Sequence, residues 1–292
     1  MRVLVTGVTG FVGSRLARSL AARGHEVAGV KRRDSSVTRI GGALSATALF
    51  DAEDGPHCPF AERRYDALVH AATSYGRRGE READVFAANV AWPLRVLEAA
   101  AASGTALFVN ADTSLPPTIN PYARSKRAFA DAVRGAAARG AIRVLNVTLE
   151  SVYGPGDDGS KFQTRLLRAL LGAEPAFALT PGEQSRDFIF ADDAVQALIL
   201  LLEHAAATGE HYLGAGVGRG EPVTIRAFAE TAKRLSGSPT RLDFGALPYR
   251  EGELMRACAD VTLLRRLGWP GARPLEEGLR ETIAWEREHR TR

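Results

Sequence analysis

The sequence predicts an α/β protein, in which a doubly wound parallel sheet is followed by a smaller C-terminal α/β domain. Short β-branched runs alternate with helical patterns through the first half of the chain, as in parallel sheets that helices cover on both faces. A glycine-rich turn, TGVTGFVG, joins the first predicted strand to the first predicted helix. After Tyr153 the turn-rich segment GPGDDGS ends the alternation, so the domain boundary is expected near this residue.

The elements of the first domain follow from periodicity, and the predicted domains are residues 1–153 and 154–292. Strands are predicted at residues 2–6, 26–30, 46–50, 67–70, 106–110 and 142–149, and the pattern is weakest at 46–50. Helices are predicted at residues 11–23, 84–102 and 121–139. The segment 186–214 again has a strand, helix and strand pattern, which indicates that part of it returns to the first sheet.

Composition excludes several classes of protein. The chain has 292 residues, of which 45% are hydrophobic and 25% charged, so it is neither disordered nor fibrous. Apolar runs such as residues 194–202 are shorter than the roughly 20 residues that span a bilayer, and Gly7 comes too early for a secretory signal. Cys58 and Cys258 alone support neither a disulfide framework nor a zinc site. We expect a cytoplasmic protein without a metal or a membrane segment.

The charge pattern favours a small anionic ligand over nucleic acid. The net charge is +4, and the arginines are scattered among acidic residues rather than gathered in a basic run. The only lysines are Lys31, Lys126, Lys161 and Lys233. A retained lysine suits a site that needs a compact ammonium, although chance explains so few examples equally well.

The glycine motif RVLVTGVTGFVG predicts dinucleotide binding. Gly7, Gly10 and Gly13 lie between the first strand and the first helix, where glycines let the backbone turn tightly and approach a pyrophosphate at the helix N-terminus. In this position the motif is typical of a Rossmann domain. The second glycine-rich stretch, GAGVGRG at residues 214–220, has similar spacing, but a plain connection between a strand and a helix is favoured there.

The end of the second strand predicts which dinucleotide binds. NAD-binding proteins usually carry Asp or Glu there, whereas this chain has GVKRRDSS. Arg32, Arg33 and Ser35 could bind a 2′-phosphate through guanidinium groups and a hydroxyl, which favours NADP. The alternative is a solvated basic turn, with Asp34 as a displaced ribose ligand.

The segment PYARSK predicts an acid/base pair. Tyr122 and Lys126 are four residues apart early in a helix, so both side chains lie on one face. A tyrosine with its ordinary pKa near 10 is too weak an acid for proton exchange at neutral pH. An ammonium about 4 Å away would lower that pKa by about three units. We therefore expect Lys126 to lower the pKa of Tyr122.

These motifs together resemble the extended short-chain dehydrogenase/reductase family, over nearly the whole chain. The resemblance rests on TGVTGFVG, HAA after the fourth strand, Asn89, YARSK, SVYGPGD, GEQSRDFIFADD and LGWPG. Within the family, the likeness is greatest to nucleotide-sugar 4-ketoreductases of deoxysugar biosynthesis. It runs through HAATSYG, FVNADTS, LESVYGPGDDGSKF, GEQSRDFIF and FGALPYREGELM.

The resemblance implies roles for individual residues. Tyr122 would be the acid/base, Lys126 its partner and a ribose ligand, Asn89 the holder of a relay water, and Asp51 a ligand of the adenine. The implied cofactor contacts are Gly7, Thr9, Gly10, Phe11, Val12, Arg32, Arg33, Ser35, Asp51, Ala71, Ala72, Asn89, Tyr122, Lys126 and Val152. The implied substrate contacts are Thr73, Ser151, Lys161, Phe162, Arg186 and Arg250. The two arginines would clamp a pyrophosphate, and a surface salt bridge is the alternative for each.

The chain departs from the family pattern at the catalytic hydroxyl. Ala111 stands where the family has a hydroxyl residue, so Thr113 or Ser114 would replace it. Asp112 is followed by Thr113 and not by the glutamate that 4,6-dehydratases need, which argues against dehydration. Ser151 stands in place of an asparagine on the substrate side.

The expected function is NADPH-dependent reduction of the C4 keto group of a nucleotide-activated 4-keto-6-deoxysugar. The alternatives are an NAD-dependent nucleotide-sugar 4-epimerase and a non-catalytic regulator that senses a dinucleotide; YARSK counts against the regulator. Ala-rich faces on the helices at 84–102 and 121–139 predict a homodimer.

Overall fold

The computed structural model describes residues 1–61 and 63–289. The chain forms two compact units. Unit 1 consists of Met1–Thr148 and Val195–Gly216, and unit 2 of Leu149–Ala194 and the chain from Val217 onward. The boundary was expected at Tyr153 but lies at Leu149, because the strand Ser151–Tyr153 pairs with Phe188–Phe190 of unit 2. Within the segment 186–214, the part that belongs to unit 1 begins at Val195.

The strands are β1 (Arg2–Thr6), β2 (Glu26–Lys31), β3 (Leu49–Asp51), β4 (Ala67–His70), β5 (Leu107–Thr113), β6 (Arg143–Leu149), β7 (Ser151–Tyr153), β8 (Ala176–Leu179), β9 (Ser185–Arg186), β10 (Phe188–Phe190), β11 (Tyr212–Val217), β12 (Val223–Thr224) and β13 (Arg241–Phe244). The helices are α1 (Phe11–Ala22), α2 (Glu82–Phe86), α3 (Trp92–Ala102), α4 (Pro121–Ala138), α5 (Phe162–Leu171), α6 (Ala191–Thr208), α7 (Ile225–Ser236), α8 (Thr262–Arg266) and α9 (Leu275–His289).

A seven-stranded sheet forms the centre of unit 1, in the order β11-β6-β5-β4-β1-β2-β3. The pairs β1–β2, β2–β3, β1–β4 and β4–β5 are parallel. The strand order reverses between β1 and β4, and ligands of doubly wound sheets bind at the carboxyl ends of the strands beside such a reversal. The predicted doubly wound fold is confirmed, and the glycine loop after β1 lies at the reversal.

The weak third strand was predicted at residues 46–50, and this prediction was wrong in its position. Ala46–Ala48 form a short 3-10 helix, and the strand is Leu49–Asp51. Only this segment pairs with β2, through Gly29↔Leu49, Val30↔Phe50 and Lys31↔Asp51. The register places Asp51 beside Lys31 at the carboxyl end of the sheet.

The helix predicted at residues 84–102 is not uniform. It consists of α2, a π-helical turn at Ala87–Ala91, and α3. Pro93 has no N–H to donate to the carbonyl of Asn89, four residues earlier, so the regular α-helical pattern cannot continue there. The π-turn therefore has a cause that is visible in the sequence, at the residue that the family motif singles out.

The helical run Glu82–Ala102 is also long and apolar enough, by length and composition alone, to cross a membrane. Core helices of water-soluble proteins pass the same test. Here Val96, Leu97 and Ala100 pack in the hydrophobic core of unit 1, together with Phe108 and Phe129.

Unit 2 has short strand pairs, β7–β10, β9–β12 and β8–β13, and its own hydrophobic core. The core is centred on Tyr153, Phe188 and Phe228, with the rings of Phe188 and Phe228 stacked 4.1 Å apart. The last residues of the GAGVGRG stretch, which belong to unit 2, bind a carboxylate of that unit. Asp187 is fully buried and accepts hydrogen bonds from the N–H groups of Arg219 (2.7 Å), Gly220 (2.9 Å) and Ala259 (3.1 Å). A Cβ at Gly218 would lie 2.3 Å from Asp187 Oδ2, so this stretch needs a glycine to hold the carboxylate.

Candidate active site

The loop after β1 turns tightly against the loop after β4. Gly7 has a φ of +67°, and a Cβ there would lie 2.7 Å from the backbone of Ala72. A Cβ on Gly13 would lie 2.2 Å from the carbonyl oxygen of Gly7, so helix α1 packs close to the turn. Among the described residues, no side chain caps α1 and no acidic residue occupies its first turn. The positive end of the helix is therefore suited to an anion.

The remaining predicted cofactor contacts of this region surround that turn. Thr9, Gly10, Phe11 and Val12 are half-buried in the turn and the first turn of α1, and Ala71 and Ala72 are half-buried after β4.

The two arginines after β2 differ in their partners. Arg33 donates from Nε to Asp51 Oδ2 at 3.3 Å and also pairs with Asp54. Lys31 donates to the other oxygen of Asp51 at 2.6 Å. Arg32 is exposed, and its guanidinium has no hydrogen-bond or ion-pair partner in the described part of the chain. Arg32 is thus the guanidinium of this turn that is available to a ligand; the half-buried Ser35 lies nearby in sequence.

The proposed acid/base pair lies at the start of α4. Asn120 caps this helix by accepting the N–H of Ala123 at 2.8 Å, and Pro121 begins its first turn. The side chain of Thr113, the last residue of β5, lies close enough to the phenol of Tyr122 to lower its pKa. Lys126 is 2% exposed and donates to the carbonyl of Ala111 at 2.5 Å. The structure therefore brings Thr113, Tyr122 and Lys126 together.

Burial is the largest influence on the pKa of each member of the pair. Burial raises the pKa of Tyr122, the nearby Tyr75 adds to this effect, and Thr113 opposes it. Lys126 is not among the largest influences on this pKa, and the lowering of the pKa of Tyr122 by Lys126 stays a prediction. In this structure the ammonium of Lys126 binds the Ala111 carbonyl. Burial lowers the pKa of Lys126 itself to about 8.

Asn89 fixes the loop after β4 with every polar atom of its side chain. Its oxygen accepts from the N–H of Ser74 at 2.7 Å and from Thr73 Oγ1 at 3.2 Å. Its amide donates to the Ser74 carbonyl at 2.8 Å and to Ser125 Oγ at 3.0 Å. Asn89 thus ties this loop to α4, and the predicted relay water at its backbone stays a prediction.

Thr113, one of the two hydroxyls that could replace the one missing at Ala111, acts on the phenol of Tyr122. Asp112 is held by side-chain contacts that sequence reasoning missed: Asn146 donates to its Oδ2 at 2.9 Å, and Asn110 donates to Asn146 at 2.7 Å. Two asparagines inside buried strands were the available signal, since strand interiors of a parallel sheet are normally apolar.

Tyr75 was missed as well. Its ring lies 4.8 Å from the ring of Tyr122, and the guanidinium of Arg77 lies 4.9 Å from the Tyr75 centroid. The aromatic residue in HAATSYG was the signal. Tyr75 therefore forms part of the surroundings of the acid/base pair.

The predicted substrate residues of unit 2 are mostly engaged within that unit. Lys161 forms an ion pair of 2.9 Å with the buried Asp157, and burial raises the pKa of Asp157. Phe162 packs against the core, with its ring 6.1 Å from that of Phe228. The N–H of Ser151 donates to the Asp187 carbonyl at 3.0 Å, so this residue and its buried neighbour Val152 belong to the β7–β10 pair.

The two arginines predicted as a clamp are in different situations. Arg186 pairs with Glu253 and donates to the carbonyls of Ser185 and Leu254. Arg250 is exposed, and its guanidinium has no partner within residues 1–61 and 63–289. The salt-bridge alternative therefore describes Arg186, and Arg250 is the available cation.

No cluster of three or more His, Cys, Asp or Glu side chains that could hold a metal occurs in the described part of the molecule.

Comparisons with known proteins agree with this geometry. The sequence profile described as the NAD dependent epimerase/dehydratase family matches residues 3–213. CDP-abequose synthase of Salmonella muenchen is 29% identical over 290 residues, covering 97% of each chain. The dTDP-4-dehydro-6-deoxy-D-allose reductase of Streptomyces bikiniensis is 28% identical, covering 98% of this chain and 96% of the reductase.

The fold also matches solved structures. UDP-glucose 4-epimerase of Thermus thermophilus in complex with NAD superimposes with a TM-score of 0.83, at 24% identity, over 99% of this chain and 100% of the epimerase. The family resemblance inferred from the sequence motifs is confirmed. The chain belongs to the NAD dependent epimerase/dehydratase family of extended short-chain dehydrogenases/reductases.

Proposed function

We propose that the protein uses NADPH to reduce the C4 keto group of a nucleotide-activated 4-keto-6-deoxysugar, as an enzyme of deoxysugar biosynthesis. The observation that carries the proposal is the position of the Thr113 side chain beside the phenol of Tyr122, where it acts on the pKa of that phenol. A phenol and a hydroxyl side by side can both donate to one oxygen, which is what a carbonyl needs as it becomes an alkoxide.

The residues of unit 1 fit a dinucleotide. The turn at Gly7 has no room for a Cβ, and helix α1 begins without a capping side chain among the described residues. These features suit a pyrophosphate. The exposed Arg32 would bind a 2′-phosphate, whereas Arg33 is held by Asp51. This difference favours NADPH and assigns the recognition to Arg32.

Two roles in the chemistry fall to Tyr122 and Thr113. A dinucleotide held at the turn of Gly7 and the start of α1 would supply the hydride for the sugar C4. Tyr122 donates its proton to the forming alkoxide. Thr113 donates a second hydrogen bond to the same oxygen.

Asn89 positions this machinery, because it fixes the loop after β4 against α4 through Ser74 and Ser125.

Unit 2 offers a guanidinium of its own. Arg250 is exposed, and its side chain suits a pyrophosphate. Arg186 pairs with Glu253 and donates to the Leu254 carbonyl, in the segment that follows Arg250.

The names of two relatives support the substrate class. CDP-abequose synthase and the dTDP-4-dehydro-6-deoxy-D-allose reductase share nearly the full length of this chain. The residue after Asp112 is Thr113 and not a glutamate, which argues against a 4,6-dehydratase.

A second candidate is an NAD-dependent nucleotide-sugar 4-epimerase. The likeness in fold to UDP-glucose 4-epimerase in complex with NAD favours it, because an epimerase would use the same tyrosine and lysine. An epimerase profits from a permanently bound NAD, whereas a reductase exchanges its cofactor after each turnover.

The test is a panel of CDP-, dTDP- and GDP-linked 4-keto-6-deoxysugars, each offered with NADPH or NADH. We expect one NADPH consumed per sugar reduced, with one nucleotide preferred, and no NAD in the purified protein. Tightly bound NAD and interconversion of 4-hydroxy sugar nucleotides without net NADPH loss would support the epimerase.

We also propose a homodimer that forms through α3 and α4. Small residues lie along these helices beside Leu94 and Leu97, and they are Ala101, Ala132, Gly135 and Ala136. Small side chains let helices approach closely. Light scattering should report a dimer at micromolar concentration, and a monomer would contradict the proposal.

A further inference from the structure

A chain of amides ends on a carboxylate beside the acid/base pair. Asn110 is fully buried and Asn146 is 8% exposed. Asn110 donates to Asn146 at 2.7 Å, and Asn146 donates to Asp112 Oδ2 at 2.9 Å. The other oxygen of Asp112 accepts the N–H of Thr113 at 2.8 Å. Both oxygens of Asp112 therefore have a donor, and the carboxylate is held in one orientation.

Lys126 is a buried cation close to Asp112 in the fold, and no carboxylate of the described residues is bonded to its ammonium. The ammonium of Lys126 donates to the carbonyl of Ala111, the residue before Asp112. No carboxylate lies within ion-pair distance of Lys126 in the part of the chain that the structure describes. A buried ammonium is costly without a compensating charge. The Asp112 carboxylate acts on it through space and raises its pKa, against the effect of burial.

We propose that Asn110 and Asn146 hold the Asp112 carboxylate as the counter-charge that keeps the Lys126 ammonium charged. Asp112 is in this account a positioning residue that acts through Lys126. The inference concerns the same site as the proposed function and rests on it only for the role of Lys126 in turnover.

The charged and titratable groups around the pair come from several elements. Tyr75 and Arg77 act on Tyr122 from the loop after β4, and Asp112 acts on it from β5. On the Lys126 side are Asp112 and His70, whose imidazole burial keeps neutral by lowering its pKa well below the usual value. Asp112 is thus the negative charge of this group. Its removal should lower the pKa of Lys126 and that of Tyr122.

The chain offers a direct measurement because it has only four lysines. With ¹³C-labelled lysine, the Cε resonances of the intact protein can be titrated, and Lys126→Met assigns the resonance of Lys126. In the wild type we expect a pKa of about 8 for Lys126. Asp112→Asn should lower it by about one unit. An unchanged pKa in Asp112→Asn overturns the proposal, and Asp112→Ser replaces this variant if it does not fold.

Two further variants test separately the charge of the Asp112 carboxylate and the placement of that carboxylate by Asn146. Asp131→Asn removes an exposed carboxylate from the same helix, where it pairs with Arg127 at 3.1 Å, and should leave Lys126 unchanged. A shift as large as that of Asp112→Asn would overturn the assignment to Asp112. Asn146→Ala keeps the charge but removes its donor, so the pKa should fall by less than in Asp112→Asn; no fall at all would overturn the positioning by Asn146.

The resonance requires no turnover, so it separates this inference from the proposed function. If Lys126 shifts as expected but no 4-keto sugar is reduced, the proposed function fails and the counter-charge stands. If reduction occurs, the alkaline limb of the kcat profile should move to lower pH in Asp112→Asn, since the ammonium is lost earlier. An unmoved limb in an active variant would contradict the inference.

Discussion

Two glycine-rich stretches of similar spacing differ in what they hold. In unit 1, TGVTGFVG leads into a helix whose start has no side-chain cap among the described residues. In unit 2, the N–H groups of Arg219 and Gly220 in GAGVGRG bind the buried Asp187. A backbone suited to an anion can thus serve a ligand or a carboxylate of the same chain. The spacing of the glycines does not distinguish TGVTGFVG from GAGVGRG. The two stretches differ in whether a carboxylate of the chain already accepts the backbone N–H groups.

A similar difference separates two lysines whose side chains are largely covered. Lys126 in unit 1 binds only a carbonyl directly, at 2.5 Å, and its pKa is lowered to about 8. Lys161 in unit 2 forms an ion pair with Asp157 at 2.9 Å. The ammonium of Lys161 is thus bonded to a carboxylate, whereas the carboxylate proposed to act on Lys126 acts through space.

The largest effect should come from the phenol of unit 1. Tyr122→Phe removes the proton donor but little binding surface, so turnover should fall by about 10³-fold or more while NADPH affinity stays within severalfold. Steady-state kinetics and fluorescence titration measure the two quantities. Tyr153→Phe is the matched control in unit 2, where the hydroxyl donates to the Leu275 carbonyl at 3.2 Å. It should leave turnover nearly unchanged and cost about 1 kcal/mol of stability. Equal losses of turnover would contradict the distinction between the units.

The next effect concerns the filled glycine turn. Asp187→Ala removes a buried carboxylate that accepts three N–H groups. The free energy of unfolding should fall by about 4 kcal/mol, because those N–H groups lose their acceptor. Urea denaturation measures the loss. Asp243→Ala, which removes only a pair with the exposed Arg241, should leave the free energy of unfolding nearly unchanged. An unchanged free energy of unfolding in Asp187→Ala would show that the N–H groups of this turn do not depend on the Asp187 carboxylate.

Lys126 also predicts a pH dependence of stability. Its pKa is about 8 in the folded protein against 10.5 in the unfolded chain, so the unfolded state binds the proton more tightly between these values. The wild type should therefore gain about 3 kcal/mol relative to Lys126→Met as the pH rises from about 8 to 10.5. Below pH 8 both states carry the proton and the difference should be constant. A difference that stays flat across the whole range would show that burial does not perturb Lys126.

The smallest of these effects compares two neighbouring arginines. Arg32→Ala should weaken NADPH binding at least tenfold, because a charge-assisted bond to a phosphate contributes about 1.5–3 kcal/mol, and NADH binding should hardly change. Arg33→Ala, whose guanidinium binds Asp51 and Asp54, should affect both cofactors alike. Fluorescence titration with NADPH and with NADH measures the affinity of each variant for each cofactor. Equal losses for NADPH and NADH in Arg32→Ala would remove the support for NADPH.

The sequence was sufficient to predict the parts of the candidate site whose residues are close together along the chain. The glycine turn follows β1 directly, and Tyr122 and Lys126 are one helical turn apart, so spacing along the chain predicted both. Spacing could not predict partners that meet across the fold. Arg33 finds Asp51 only because β3 pairs with β2 in one register, and Asp112 meets Asn146 only across neighbouring strands. For the same reason, the engagement of Arg186 with Glu253, far away in sequence, could not be foreseen.

The central claim, that the available groups of unit 1 serve a reductase, is tested most directly by isotope transfer. NADPH deuterated at both C4 positions is incubated with a CDP- or dTDP-linked 4-keto-6-deoxysugar, and the product is examined by mass spectrometry and NMR. We expect one deuterium at the sugar C4, one NADPH oxidised per product, and no transfer by Tyr122→Phe. Recovery of the unreduced 4-keto sugar, with no deuterium at C4 and no loss of NADPH, would contradict the assignment as a reductase.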